Sequence, residues 1–297
     1  MKVGIVGLGL IGASLGLDLR RLGYGVVGVA RRQDTCRQAV AAGVVDSGST
    51  DFEGLKAVDC VFVCTPIAAT APTVAAIAPY LSPQTVVTDV GSVKQAVVQA
   101  ASHHWPRFVG GHPMAGKTEA GLAAAEPGLF AGRAYVITPL DQTPEDAVAQ
   151  VAAIATDLKA EVHHCSPEAH DRAVAWISHL PVMISSSLIQ ACLSEPDQAV
   201  ATLAQQFASS GFRDTSRVGG GNPELGLMMA RYNRAEVLRS LHHYRQQLDR
   251  LTTLVTDEDW DSLSHWLQCT QQARPHFVVP EVAPDVSPQV APPEAKS

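Results

Sequence analysis

The sequence of 297 residues lacks the features that mark several protein classes. Charged residues make up only 17% of the chain and the net charge is −7, which argues against a nucleic-acid-binding face. No uninterrupted apolar run reaches membrane-spanning length, and no N-terminal segment resembles a signal peptide. We therefore expect a cytoplasmic protein that binds neither nucleic acid nor membranes.

The cysteines also lack the spacing of two kinds of site. The six cysteines show neither a CxxC motif nor the spacing of metal ligands. Cys60 and Cys64 flank an apolar Val-Phe-Val segment, where small buried thiols are expected. The sequence thus predicts reduced cysteines and no metal site.

What the sequence does contain is a glycine-rich turn between an apolar strand and a helix. Strands are predicted over 2–6 and 25–30, with the turn and a helix that ends at Gly23 between them. This order is the context that the dinucleotide-binding fingerprint GxGxxG requires. The glycines allow a tight turn and close approach of a pyrophosphate, and the helix N-terminus offers N–H groups to phosphates. We assign cofactor binding to Gly7, Gly9, Leu10, Ile11 and Gly12.

The residues after the second strand indicate which dinucleotide binds. An NAD site usually has an acidic residue there, but this chain has Arg31 and Arg32 and no acid before Asp34. Two guanidinium groups suit a 2′-phosphate, although a solvated arginine pair has the same sequence. We predict NADP.

Further along the chain, apolar strands alternate with helices, which is typical of a doubly wound, mostly parallel α/β sheet of the Rossmann type. Helices are predicted over 33–43, 70–80, 93–102 and 145–158, and strands over 58–65, 85–90, 107–112, 134–138 and 161–165. We place this NADP-binding domain at residues 1–165.

The second half of the chain has helical spacing and no predicted strand. Ser166-Pro167 is a typical helix start, and Pro181 is expected to kink that helix. Asn222-Pro223 begins a long helical stretch, and a last helix is predicted over 260–272. We predict an all-helical domain over residues 166–279 and a Pro-rich disordered tail over 280–297.

Ligands of an open parallel sheet bind at the carboxyl ends of its strands, where three segments stand out. Thr65-Pro66 ends one strand and can line the nicotinamide side. Asp89-Val-Gly-Ser-Val-Lys94 ends the next strand, and Gly110-Gly-His-Pro-Met-Ala-Gly116 ends the third. His112 therefore points into the expected cofactor crevice, where an imidazole can accept a proton near neutral pH, as oxidation of a hydroxyl requires.

Three further residues each have two interpretations. Ser92 begins a Ser-Val-Lys-Gln capping box, so it can start a helix, reach a neighbouring imidazole, or do both. His179 lies beside Pro181, where a histidine often bonds a carbonyl that the kink frees. Arg213 lies on a predicted loop and is either paired with Asp214 or free to hold a carboxylate.

Five segments, in this order, resemble the prephenate and arogenate dehydrogenases of tyrosine biosynthesis. They are the glycine turn 7–12, the segment 89–94, Gly111-His-Pro-Met-Ala-Gly116, Ser178-His-Leu-Pro181 and Gly211-Phe-Arg-Asp-Thr-Ser-Arg217. The resemblance runs from Met1 to about residue 279. It implies oxidative decarboxylation of a cyclohexadienol with hydride transfer to the nicotinamide, at a site between two domains. It also implies a homodimer through the helical domain.

The resemblance implies a role for each matching residue. His112 matches the catalytic histidine, which accepts the proton of the ring hydroxyl, and Ser92 matches the serine that orients it beside the nicotinamide. His179 and Arg213 match substrate-binding positions, with Arg213 the candidate for a substrate carboxylate. We count Gly116 and Lys117 as substrate-binding residues too.

Two departures from the usual family pattern lie in the helical half. Val182 replaces a second histidine that many members have, and Gly226 replaces a tryptophan. Together with the arginine pair and the absence of a regulatory domain, the missing histidine favours the cyanobacterial and plant-type enzymes. We predict arogenate as substrate, with prephenate as the alternative.

Two other classes of protein share parts of this pattern. A β-hydroxyacid dehydrogenase or imine reductase also joins a cofactor domain to helices, but relies on a catalytic residue of the helical domain. A non-enzymatic NADP-sensing module has no need for His112, Ser92 and Arg213 together.

Overall fold

An eight-stranded sheet forms the centre of the N-terminal half in the computed structural model, which describes residues 1–117 and 119–278. The strands are β1 (Lys2–Val6), β2 (Gly25–Val29), β3 (Ser47–Ser49), β4 (Cys60–Val63), β5 (Val86–Asp89), β6 (Phe108–Pro113), β7 (Ala134–Thr138) and β8 (Glu161–His164). Their order in the sheet is β3-β2-β1-β4-β5-β6-β7-β8. All neighbouring strands are parallel except β6 and β7, so the predicted doubly wound, mostly parallel sheet is confirmed.

Helices connect the strands and continue after the last one. Those of the first half are α1 (Leu10–Arg21), α2 (Gln33–Ala41), α3 (Ile67–Ile77), α4 (Gln95–Ser102) and α5 (Glu145–Asp157). Those that follow are α6 (Pro167–Val174), α7 (Leu180–Leu193), α8 (Gln198–Phe207), α9 (Ser210–Ser216), α10 (Pro223–Tyr232), α11 (Arg234–Thr256) and α12 (Trp260–Ala273). The described residues after β8 form no strand, as predicted.

Both faces of the sheet are covered by apolar side chains. Along β4, Cys60 and Phe62 belong to one buried cluster, and Val61 and Val63 belong to the other. This alternation follows from the two-residue period of a strand, and burial on both faces explains why the strands are almost continuously apolar. The sheet is therefore a rigid support whose strand ends can hold a site.

Several element boundaries differ from the sequence predictions. The strand Ser47–Ser49 was not predicted, because it is polar and short. The helix α4 begins at Gln95 rather than at residue 93, and the predicted loop around Arg213 is the helix α9. Asn233 separates α10 from α11, where one continuous helical stretch was predicted.

The two predicted proline features of the helical part take specific forms. The Ser166 hydroxyl accepts the Ala169 N–H at 3.2 Å, which confirms the predicted helix start. A π-helical turn, Ala175–His179, precedes α7 and Pro181. Because Pro181 has no N–H to donate, the preceding turn can widen in this way, and the predicted kink itself stays a prediction.

The described chain forms two compact units, Met1–Leu241 and a C-terminal unit that begins at His242. The boundary predicted between residues 165 and 166 stays a prediction. The predicted disordered tail, 280–297, lies outside the described residues, as does residue 279.

One described helical run, Pro167–Leu193, is long and apolar enough to cross a membrane, by length and composition only. The count of consecutive apolar residues did not indicate this run, because polar residues such as Asp171 interrupt it. His170 and Asp171, near its start, are buried in the polar network described below. The start of this helical run is therefore packed inside the folded protein.

Candidate active site

The glycine turn has the shape that a dinucleotide needs. Gly7 has φ +103°, and a Cβ there would lie 2.5 Å from the Cys64 carbonyl oxygen. A Cβ on Gly12 would lie 2.0 Å from the Gly7 oxygen, whereas nothing lies within 4 Å of a Cβ built on Gly9. The first and third glycines are thus demanded by packing, and the second leaves open space for a ligand.

The N-terminus of α1 adds donors to this space. Gly9 is the N-cap residue, and no side chain caps the helix that begins with Leu10 and Ile11. The first N–H groups of a helix have no partner within the helix, so they are available to phosphate oxygens. The residues present therefore fit the pyrophosphate of a dinucleotide.

The end of β2 presents two arginines. Arg31 and Arg32 are exposed, and neither forms an ion pair or a side-chain hydrogen bond with another described residue. The nearest acid, Asp34, is paired with Arg37 one turn along α2. The position thus offers cations and no free carboxylate.

His112 lies near the carboxyl end of β6 and is 7% exposed. Its Nδ1 lies 2.8 Å from His170 Nε2, and His170 Nδ1 lies 2.8 Å from Asp171 Oδ1. The carboxylate can only accept, so His170 donates from Nδ1 and, when neutral, accepts at Nε2. His112 must then donate from Nδ1, which leaves a lone pair on its Nε2. This tautomer is the one that a general base needs.

Burial keeps both histidines neutral. Burial, together with the neighbouring His170, Lys94 and His179, holds the pKa of His112 well below its ordinary value. Burial also lowers the pKa of His170, although the Asp171 carboxylate opposes this effect. Both imidazoles are therefore neutral before the reaction, and His112 can accept a proton during it.

Asp171 also fixes the start of α4. Its Oδ1 accepts the Lys94 N–H at 2.7 Å, and its Oδ2 accepts the Gln95 N–H at 2.9 Å. A carboxylate from α6, rather than a local serine, therefore caps this helix. The predicted capping box at Ser92 is wrong, because Asp171 occupies the position that its hydroxyl would fill.

His179 is fully buried and is oriented by Asn233. The Asn233 amide nitrogen donates to the Asp171 carbonyl oxygen at 2.7 Å and lies 3.1 Å from His179 Nδ1. Since the amide nitrogen only donates, His179 Nδ1 accepts and its hydrogen is on Nε2. Burial lowers the pKa of His179 to about 4, so the ring is neutral. Asn233, not a carbonyl freed by the kink, is thus the partner of Nδ1.

Three buried polar atoms of predicted site residues have no hydrogen-bond partner among the described residues. They are Thr65 Oγ1, Ser92 Oγ and His179 Nε2, of which the last faces the Ser92 backbone, a contact that partly offsets the burial-lowered pKa of His179 without giving Nε2 a well-aligned hydrogen bond. An unsatisfied buried polar atom is costly, so these atoms are candidates for ligand contacts. The neighbouring Pro66 is exposed and precedes α3. Ser92 makes no hydrogen bond to His112, whose ring is held by His170 instead.

The remaining predicted substrate residues have other partners. Lys117 Nζ lies 2.6 Å from Glu126 Oε2, and nothing lies within 4 Å of a Cβ built on Gly116. Arg213 is exposed on α9 with its Nε 3.0 Å from Asp214 Oδ1. The described contacts therefore do not join Arg213 to His112 or His179.

The sequence reasoning did not identify four buried residues that hydrogen-bond to His112, to His179 or to one another: Lys94, His170, Asp171 and Asn233. The adjacent His170-Asp171 pair carries no distinctive local signal, because Glu168 and Arg172 beside it make the start of this helix look like an ordinary polar first turn. His170 bonds His112, which lies 58 residues away in the chain, and Asp171 bonds Lys94, which lies 77 residues away. Sequence spacing alone does not reveal such contacts.

Comparison with known proteins agrees with this architecture. Residues 15–164 match the family model described as prephenate dehydrogenase, nucleotide-binding domain, and residues 166–269 match prephenate dehydrogenase, dimerization domain. The Bacillus subtilis prephenate dehydrogenase is 31% identical over 277 residues, 91% of this chain and 74% of that protein. The Zymomonas mobilis cyclohexadienyl dehydrogenase is 30% identical, over 92% of this chain and 94% of that protein.

Solved structures agree as well. Synechocystis arogenate dehydrogenase matches with a TM-score of 0.85 and 50% identity, over 94% of this chain and 100% of that one. Aquifex aeolicus prephenate dehydrogenase, in complex with hydroxyphenyl propionate and NAD+, matches with a TM-score of 0.88 and 26% identity, over 94% and 98%. With its nucleotide-binding sheet and its helical second part, the chain belongs to the prephenate dehydrogenase family.

Proposed function

We propose that the chain catalyses the NADP-dependent oxidative decarboxylation of L-arogenate to L-tyrosine. The observation that carries this proposal is the tautomer of His112, whose Nε2 keeps its lone pair because Nδ1 donates to His170. The 50% identity with the Synechocystis arogenate dehydrogenase supports arogenate as substrate. The curated relatives named prephenate dehydrogenase make prephenate the second candidate.

His112 supplies the base for this reaction. Its Nε2 accepts the proton of the ring hydroxyl as the C4 hydrogen departs with its electron pair, and Asp171 stabilises the resulting imidazolium through His170. The C–C bond to the ring carboxylate then breaks, and its electrons complete the aromatic ring as carbon dioxide leaves. The phenolate oxygen takes the proton back from His112. When bound, NADP+ accepts the hydride.

The buried unpartnered atoms are the proposed ligand contacts. Ser92 Oγ and His179 Nε2 bind the substrate, with Ser92 orienting the ring hydroxyl against His112, and Thr65 Oγ1 lies on the cofactor side. His179 is a donor and neutral, so it suits an oxygen of the substrate. Arg213 takes a substrate carboxylate in place of Asp214, and Gly116 and Lys117 are further proposed substrate contacts.

The cofactor preference rests on Arg31 and Arg32, with Gly7, Gly9 and Gly12 around the pyrophosphate. Replacing both arginines by alanine removes charged contacts to the 2′-phosphate. We expect NADP binding to weaken by roughly 10- to 100-fold, with NAD binding changed less than about threefold. Arg37→Ala, which removes an exposed arginine of the following helix α2, is the matched control. Equal weakening for both cofactors would reject the NADP assignment.

We also propose a homodimer formed through a helical domain over 166–279. The family model described as a dimerization domain supports it, as do large exposed apolar side chains of these helices. Among them are Ile177, Leu193, Phe207 and Leu227, which are 57–73% exposed. An interface between two copies removes such surface from water. Light scattering that gives the mass of one chain would reject the dimer.

The substrate is tested by kcat/KM for arogenate and for prephenate, each with saturating NADP and followed by nicotinamide absorbance. A large preference for arogenate supports the proposal and assigns the discrimination to recognition of the substrate ammonium group. If prephenate is turned over equally well or better, prephenate becomes the proposed substrate and the proposed reaction stays the same. If the enzyme turns over neither compound, the proposed function is rejected and only the assignment of a nucleotide-binding domain remains.

A further inference from the structure

Lys94 is a buried cation that the proposed reaction does not yet use. Its side chain has no exposed surface, and its Nζ donates to the Asp89 carboxylate and, at 2.7 Å, to the Gly111 carbonyl oxygen. The Gly111 N–H donates to Asp89 Oδ1 at 3.2 Å. The ion pair therefore holds both backbone groups of the residue that precedes His112.

The backbone N–H of Lys94 is connected to the imidazole of His112 through Asp171 and His170. Its N–H donates to Asp171 Oδ1 at 2.7 Å, and that oxygen also accepts from His170. His170 in turn accepts from His112 Nδ1. These contacts form a closed ring that starts at the backbone beside His112, passes through the side chain and backbone of Lys94, and returns to the imidazole.

The backbone of this ring has little freedom to shift. A Cβ on Gly111 would lie 2.7 Å from the Asp89 carbonyl oxygen and 2.9 Å from Thr88 Oγ1. Asp89 is fully buried as well, so the Lys94 charge is matched inside the protein rather than offered to a ligand. A lysine that bound a substrate carboxylate or a phosphate would instead keep its ammonium group accessible.

We propose that Lys94 is a positioning residue that fixes the place of His112, and thereby keeps the His112–His170 hydrogen bond that sets the His112 tautomer. This inference rests on the proposed function, in which His112 is the base. The charged and titratable groups around Lys94 are Asp89, Asp171, His112 and His170. Lys94 acts on the reaction through His112 and contacts neither the substrate nor NADP.

The test combines two variants with a background that lacks the base. Lys94→Met removes the ammonium donors to Asp89 and Gly111 and keeps the backbone N–H that donates to Asp171. Asp89→Asn/Lys94→Met also removes the charge that would otherwise be left buried and unpaired. Lys56→Met, at an exposed lysine paired with Glu53, is the matched control. We expect both Lys94 variants to lower kcat by about 10²-fold, with KM for substrate and NADP within about threefold. In a His112→Asn background the same changes should lower the rate less than about threefold.

A measurement on the protein without substrate or cofactor separates this inference from the proposed function. Nitrogen-15 NMR of labelled histidine should show His112 as a single Nδ1–H tautomer in the unchanged protein and as a mixture in both Lys94 variants. A folded variant with an unchanged tautomer and unchanged kcat would overturn the inference. So would a tenfold rise in KM at constant kcat, or an equal loss in the His112→Asn background. If the unchanged enzyme turns over neither substrate, the function fails, and the NMR result alone decides the inference.

Discussion

Two groups of buried polar residues meet the end of the sheet in different states. In the partnered network, defined as Asp89, Lys94, His112, His170 and Asp171, each member is hydrogen-bonded to at least one other. The unpartnered set, defined as Thr65, Ser92 and His179, has one buried polar atom per residue with no partner among the described residues. The first group is organised without a ligand, and the second is not satisfied without one.

This difference separates two contributions to catalysis. Groups whose geometry is fixed before binding need no reorganisation during the reaction, so the network suits the base and its support. Groups that lack partners lose part of their desolvation penalty when a ligand bonds to them, so the set suits recognition. We therefore expect substitutions in the network to change turnover or stability, and substitutions in the set to change ligand binding.

His112→Asn gives the largest expected effect. Asparagine keeps a hydrogen-bonding group but cannot act as a base near neutral pH, so kcat should fall roughly 10³-fold while NADP still binds. In the unchanged enzyme the acid limb of kcat/KM should lie below pH 6.5, because burial lowers the pKa of His112. His104→Asn, at an exposed histidine, is the control. Retained turnover in His112→Asn would show that another group is the base.

Asp171→Asn should cost less activity and more stability. An amide nitrogen facing the Gln95 N–H pairs donor with donor, and His170 loses the charge that fixes its tautomer. We expect kcat to fall about 10²-fold and the free energy of unfolding to fall by about 3 kcal/mol. Asp146→Asn, at an exposed partner of Arg107, should leave both unchanged. Full activity in Asp171→Asn would remove the network from the mechanism.

The pH dependence of stability should reveal the neutral histidines. The unfolded chain protonates its histidines near pH 6.5, whereas His179 in the folded protein has a pKa of about 4. Stability is therefore complete above pH 6.5 and falls as the pH drops toward 4, by on the order of 3 kcal/mol from this residue. Urea unfolding at several pH values measures this slope. His179→Asn should flatten it, His104→Asn should not, and identical slopes would contradict the burial argument.

The features that the sequence predicts are those that neighbouring residues determine. The glycine turn is recognisable locally, because its spacing and the close approach of Gly12 to the Gly7 oxygen lie within six residues of the chain. His112 could be placed by its position after an apolar strand. The Ser166 cap follows from two adjacent residues.

The features that the sequence does not predict depend on distant partners. The cap of α4 comes from Asp171, 77 residues away from Lys94, so the local capping box at Ser92 gave a wrong answer. The break at Asn233 is not visible in helical spacing, and the side chain at that break bonds Asp171 and His179, 62 and 54 residues away. Arg213, flanked by Gly211, Phe212 and Asp214, was predicted on a loop, although the segment forms a short exposed helix.

Two serines provide the smallest and most direct test of the comparison. Ser166→Ala removes a cap that accepts the Ala169 N–H, so the free energy of unfolding should fall by about 1 kcal/mol with turnover unchanged. Ser92→Ala removes a hydroxyl without a partner, so stability should change by less than about 0.5 kcal/mol. Its substrate KM or kcat should change about tenfold. If Ser92→Ala instead destabilised the free protein like Ser166→Ala, its hydroxyl would be satisfied before any ligand binds, and the distinction between network and set would fail at that residue.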